Sequence, residues 1–192
     1  MEFHLLFPDT ELAEISFLAD HGEVVFLVSK SSDPFQEVIS ALLNFEADED
    51  AELSDDSYMF LWTGDTWGYE WQFEKMGEGV VQLKIIQINN LRYYLSRQGI
   101  DDDVLMEEIV PVNEDEILYE ETIIIDELIS AVVRCVDRYL KAYGILDYSS
   151  QWGNTGFAIT SYLKLKSYLL QKDLWTGDAA ISEVFKRELG QL

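Results

Sequence analysis

Few residues in this chain are of a type and spacing that could do chemistry. There are two histidines, His4 and His21, and one cysteine, Cys135. No Gly-rich phosphate loop, nucleophile elbow or Cys/His set accompanies them. His21 sits beside Gly22 in turn chemistry and has no partner in the sequence that would make it a general base. Cys135 falls next to the apolar face of a helix, where a small core residue is expected and not a nucleophile. Two runs of contiguous acids, Asp48-Glu49-Asp50 and Asp101-Asp102-Asp103, carry hard oxygen ligands of the kind Ca²⁺ and Mg²⁺ prefer. Neither has the spaced D-x-D-x-D-G of a calcium loop, and contiguous carboxylates point in different directions. A solvated acidic run with no metal and no cofactor is the expectation.

Acidity is the dominant chemical feature. The 192 residues hold 37 acidic and 13 basic side chains, a formal net charge of −24. The charge is polarised along the chain, because residues 1–132 hold 5 basic against 31 acidic side chains, whereas 133–192 hold 8 against 6. Such a balance argues against nucleic acid, whose phosphates need clustered Lys and Arg, and against an anionic membrane surface. Two readings of it are open: a charge that only keeps the chain soluble, and one that serves a basic protein partner. The densest segment, Glu46 to Asp56, has seven acids in eleven residues. The expected contacts are Asp48, Glu49, Asp50, Asp55 and Asp56 from that segment, Asp65 and Trp67 from a later turn, and Asp101, Asp102 and Asp103. Trp62, Trp67, Tyr69 and Trp71 surround that turn, and two roles are open to them: core packing, or a recognition surface of the kind Trp and Tyr favour.

The elements that must position these residues follow from the hydrophobic period. Phe3 to Phe7, Leu12 to Ala19 and Glu23 to Ser29 read as strands, the last two joined by the hairpin turn Asp20-His21-Gly22. At Ser32-Asp33-Pro34 the period changes. Asp33 can cap a helix that starts on Pro34 and buries Phe35, Val38, Ile39, Leu42 and Leu43. Tyr58 to Trp62, Tyr69 to Lys75 and Val80 to Ile88 form an antiparallel meander, with Tyr69, Trp71 and Phe73 on one face and Glu70 and Glu74 on the other. Residues 89–113 show no clear period. Ile117 to Ile125 reads as another strand, and Asp126 as the cap of a helix ending at Gly144. Phe157 to Leu170 and Ala179 to Leu189 read as further helices. The pentapeptide LWTGD occurs at 61–65 and at 174–178 with unmatched flanks, a coincidence of turn-forming residues.

Strands in the first two thirds and helices in the last third predict an α+β fold. One antiparallel sheet of about five to six strands would pack against the C-terminal helices, in a single domain spanning 1–192. With 48% apolar residues the chain can build a core despite its charge. The first residues, MEFHLLFPDTE, have neither a basic n-region nor an apolar h-region, so no secretory signal is expected. No run approaches the ~20 apolar residues of a membrane span. A lone cysteine suits a reducing cytoplasm.

The strands leading into Ser32-Asp33-Pro34-Phe35, the meander after an acidic loop, and the long helix ending near Tyr143-Gly144 with Tyr148 and Trp152 beyond resemble small bacterial immunity proteins of polymorphic toxin and contact-dependent inhibition systems. The likeness is one of overall plan across most of the chain. It implies no enzymatic activity and tight binding to a cognate toxin, often a basic nuclease, whose active site is occluded. Two other classes compete with that expectation. One is an acidic secretion chaperone or adaptor that holds an unfolded segment; the other is an enzyme with dispersed carboxylates.

Overall fold

The computed structural model describes residues 1–7, 11–20, 22–30, 33–46, 57–99, 115–152 and 156–174. Strands β1 (Glu2–Leu6), β2 (Leu12–Ala19) and β3 (Gly22–Ser29) form one antiparallel sheet in the order β1-β2-β3. Helix α1 (Pro34–Glu46) follows. Strands β4 (Ser57–Thr63), β5 (Gly68–Gly77) and β6 (Val80–Ile88), a short helix α2 (Leu91–Arg97) and strand β7 (Glu116–Ile124) then build a second antiparallel sheet, β4-β5-β6-β7. The long helix α3 (Ile125–Gln151) and α4 (Ile159–Gln171) complete the described chain.

The α+β class is as expected, but the strands among the described residues divide into two sheets, of three and four, instead of one. The physical reason lies at the edge of β3. Both backbone polar groups of Leu27 are taken by side chains of β5 and the turn before it: Tyr69 Oη accepts the N–H at 3.2 Å, and Trp67 Nε1 donates to the carbonyl at 2.9 Å. Side-chain bonds thus occupy this position on the edge, where a further strand would otherwise pair.

Between the sheets lies one apolar core. Phe3, Ile15, Phe17, Phe26 and Val28 from the first sheet meet Phe60, Trp62, Trp71, Phe73, Leu83 and Ile85 from the second. Trp71 is at its centre, with ring centroids 4.5 Å from Trp62, 5.4 Å from Phe26 and 5.6 Å from Phe60. Offset and tilted stacking of this kind stabilises beyond area alone. The aromatic alternation of β5 is therefore core packing: Tyr69, Trp71 and Phe73 are all buried.

The helices close this core. Pro34 opens α1, and Asp33 Oδ1 accepts the N–H groups of Phe35 and Gln36, both at 3.1 Å, which is the capping its sequence predicts. Trp62 Nε1 donates to the Pro34 carbonyl at 3.0 Å and fixes the same end to β4. Helix α3 runs beside β1, where Arg138 donates to the Phe3 carbonyl at 2.5 Å.

One expectation for α3 changes. Asp126 is not its cap. The strand β7 passes directly into the helix at Ile124, which makes no side-chain capping bond, and the Ile125 N–H instead reaches the Gly79 carbonyl at 3.0 Å. Asp126, one residue into the helix, receives Tyr168 and Lys172 from α4. Gly144 ends the first of two helical stretches within α3, as expected of it. Its φ of 82° and ψ of 173° make a kink that a side chain would resist, and helical turns resume as far as Gln151. The helix expected at 157–170 is α4, starting two residues later. Helix α2 falls in the stretch without a clear period, and Asn90 caps it by accepting the Tyr93 N–H at 3.0 Å. The helix expected at 179–189 lies outside the described residues.

Candidate partner-binding residues

The expected contact residues are best followed from the β4–β5 turn. The Gly64 N–H donates to the Trp67 carbonyl at 2.8 Å and closes the turn, leaving Asp65 exposed at its apex. The indole of Trp67 folds back over Gly64, where a β-carbon would collide with the ring. With its Nε1 on the Leu27 carbonyl, Trp67 is a half-buried bracket between the two sheets whose outer part remains accessible. The Thr66 carbonyl accepts the Leu91 N–H at 2.9 Å, so the same turn seats α2.

Asp48, Glu49, Asp50, Asp55 and Asp56 lie outside the described residues, as do Asp101, Asp102 and Asp103. Their flanks are informative. Ser57, which follows the first acidic run, starts β4 opposite Glu74, in the row that continues through Gln82 and Thr122. Glu116, thirteen residues beyond the second, starts β7 opposite Gln87, in the row through Tyr69 and Trp62. The two flanks stand at opposite ends of the four-stranded sheet. Asp65 and Trp67 share the second end.

A cleft of about 510 Å³ opens on the outward face of that sheet, lined by Met59, Gln72, Glu74, Gln82, Lys84 and Glu120. Lys84 Nζ approaches Glu120 Oε2 at 3.9 Å, and the Thr122 hydroxyl donates to Gln82 Oε1 at 2.7 Å. Further along the face Glu70 is buried and accepts hydrogen bonds from the Tyr94 phenol and the Gln72 amide. Alternation places Glu70 and Glu74 on this side of β5. What it does not show is α2, whose Tyr94 covers Glu70.

Other titratable groups serve packing. Cys135 is buried, and burial pushes its thiol up to about 11, so it is a thiol and not a thiolate near neutral pH. His4 Nε2 lies 3.3 Å from Glu2 Oε2 on β1. Asp33 Oδ1 also accepts the Tyr148 phenol at 2.6 Å; burial raises this carboxyl above its ordinary range, against the lowering effect of its hydrogen bonds. Lys166 on α4 reaches both oxygens of Asp137 on α3, at 2.7 and 2.9 Å. Among the described residues no three His, Cys, Asp or Glu side chains stand together as a metal site, and no helix is long and apolar enough to cross a membrane.

The described surface thus offers acidic and amide groups suited to polar recognition. No protein-family model, curated protein or solved structure matches the chain.

Proposed function

We propose that this chain is a non-catalytic protein-binding module of the immunity type, which binds a basic toxin in the cytoplasm and occludes its active site. The observation that carries the reading is the excess of 31 acidic over 5 basic side chains within residues 1–132. A field of that sign raises the association rate of a basic partner and repels nucleic acid, the substrate such a partner would otherwise hold. The acidic runs at 48–56 and 101–103 supply the long-range attraction. Asp65 at the turn apex adds a close contact, and the accessible part of Trp67 an apolar one that slows dissociation.

The test is capture of a tagged form from lysate of its source at low and high salt, followed by titration of the captured protein's activity. A stoichiometric basic partner, retained at high salt and silenced at a 1:1 ratio, is the expected result. A partner whose activity persists at that ratio would overturn the inhibitor reading. Neutralising Asp48, Glu49, Asp50, Asp55 and Asp56 together should slow association in stopped-flow mixing and flatten its salt dependence. An unchanged rate constant removes that segment from the encounter.

A further inference from the structure

The outward face of the three-stranded sheet has a different character from the cleft on the other sheet. Strand register arranges it in three rows: Leu6, Glu14 and Leu27; then His4, Ser16 and Val25; then Glu2, Leu18 and Glu23. Solvated strand faces are ordinarily polar. Here Leu6 is 60% exposed, Val25 48%, Leu18 42% and Leu27 37%. Acids and aliphatics alternate across the rows, so each exposed carboxylate has an apolar neighbour. Ser16 is the smallest side chain of the middle row, and it lies in a hollow of about 420 Å³. Glu14, Glu23, His4 and Leu6 line the hollow from the sheet, and Arg138, Tyr139 and Tyr143 from α3. The Arg138 guanidinium is turned to the Phe3 carbonyl.

We infer that this face is where the basic partner docks, with a Lys or Arg side chain entering the hollow over Ser16. The inference rests on the acidic-binder reading and names the surface it uses. Charge complementarity identifies the occupant. Lys and Arg carry an aliphatic stem and a cationic head, which match a chequerboard of leucine, valine and glutamate. A second copy of the chain is a poor occupant, because two bodies of charge −24 repel. The cleft on the four-stranded sheet is a weaker anchor: Met59 is its one exposed apolar side chain, and Lys84 already faces Glu120. Interfaces combine apolar anchors with polar partners, and the three-stranded face supplies both side by side in its rows. It also adjoins Trp67, through the Leu27 carbonyl.

The probe is an extended peptide of alternating Lys and Leu, titrated at low ionic strength into the full chain labelled at Leu and Val methyl groups. Saturable shifts at Leu6, Leu18, Val25 and Leu27 are expected. Leu18→Ser with Val25→Ser, and separately Glu14→Gln with Glu23→Gln, should each weaken the peptide about tenfold. Glu74→Gln with Glu120→Gln should leave its affinity unchanged. All six positions are solvent-facing or half-buried, and the wild-type shift map stands without them. Shifts centred on the cleft beside Met59, or an affinity indifferent to the Leu18 and Val25 changes, would overturn the inference. So would Leu18 and Val25 signals that move with protein concentration alone, which would give the face to a second copy. A captured basic protein that stays active while the peptide maps to this face would overturn the inhibitor reading and leave the docking surface standing.

Discussion

Tyr148, beyond the kink of α3, donates its phenol proton to Asp33 Oδ1 at 2.6 Å and so ties the last turns of α3 to the cap of α1. The same oxygen caps α1, while Oδ2 is buried with no hydrogen-bond partner among the described residues. Asp33→Ala removes the cap and strands the Tyr148 phenol, and should destabilise the protein by about 1–3 kcal/mol in urea unfolding.

Asn at position 33 tests the charge alone, since its amide oxygen can replace Oδ1. Burial raises the Asp33 carboxyl, and burial with the Asp33 charge beside it raises Glu37. Groups shifted upward bind protons more readily when folded, so their contribution is full below the ordinary carboxylate range and is lost as pH rises through the folded values. Stability should increase as pH is lowered from neutral towards 4, and Asp33→Asn should remove part of that slope. A variant with the wild-type slope would show that Asp33 is not one of the titrating groups.

Trp62 and Trp71 form a matched pair for separating packing from hydrogen bonding. Both are fully buried, but Trp62 Nε1 donates to the Pro34 carbonyl whereas Trp71 Nε1 has no partner among the described residues. Trp→Phe at either position opens a void. Only at Trp62 does it also remove a buried hydrogen bond. Trp62→Phe should therefore cost about 1 kcal/mol more than Trp71→Phe in chemical unfolding.

The bracket at Trp67 depends on a glycine three residues away, whose N–H donates to the Trp67 carbonyl. In Gly64→Ala the new methyl group collides with the Trp67 ring, so the indole must leave its place and release the Leu27 carbonyl. Trp67 emission should shift to longer wavelength as the ring enters water. Gly64→Ala with Trp67→Phe should show no such shift.

Lys166 and Asp137 provide a test of the helical layer. Lys166 is 2% exposed and holds both carboxylate oxygens, with the Tyr162 phenol on one of them. Lys166→Met leaves a largely buried carboxylate without its cation and should cost about 3–5 kcal/mol in thermal or chemical unfolding. Adding Asp137→Leu should recover most of that loss.

Local chemistry made much of this fold legible in the sequence. Ser32-Asp33-Pro34 announces α1 because a cap acts within three residues, and β2 and β6 follow from strict alternation. Helix α2 escaped because its buried side is little more than Leu91, too short a stripe to show a period. The two-sheet division depends on Trp67 and Tyr69 reaching a strand some 40 residues away, a relation that no local pattern contains. The same limit applies to the candidate surface. Acidic runs are visible as runs, but the rows joining Glu2, Leu18 and Glu23 exist only once β1, β2 and β3 are in register. Asp126 illustrates the converse: a good capping residue by type is drawn instead to Tyr168 and Lys172.

With so few basic residues, the fold leans on tyrosine to hold its carboxylates. Phenols at Tyr94, Tyr119, Tyr139, Tyr148, Tyr162 and Tyr168 each donate to an Asp or Glu. A phenol does this only while it keeps its proton, and burial with the adjacent carboxylate pushes five of the six upward. Each ionisation would exchange a donor for a second anion against the first. The molecule therefore carries an alkaline ceiling of its own, and its unfolding in strong base should coincide with the rise of tyrosinate absorbance.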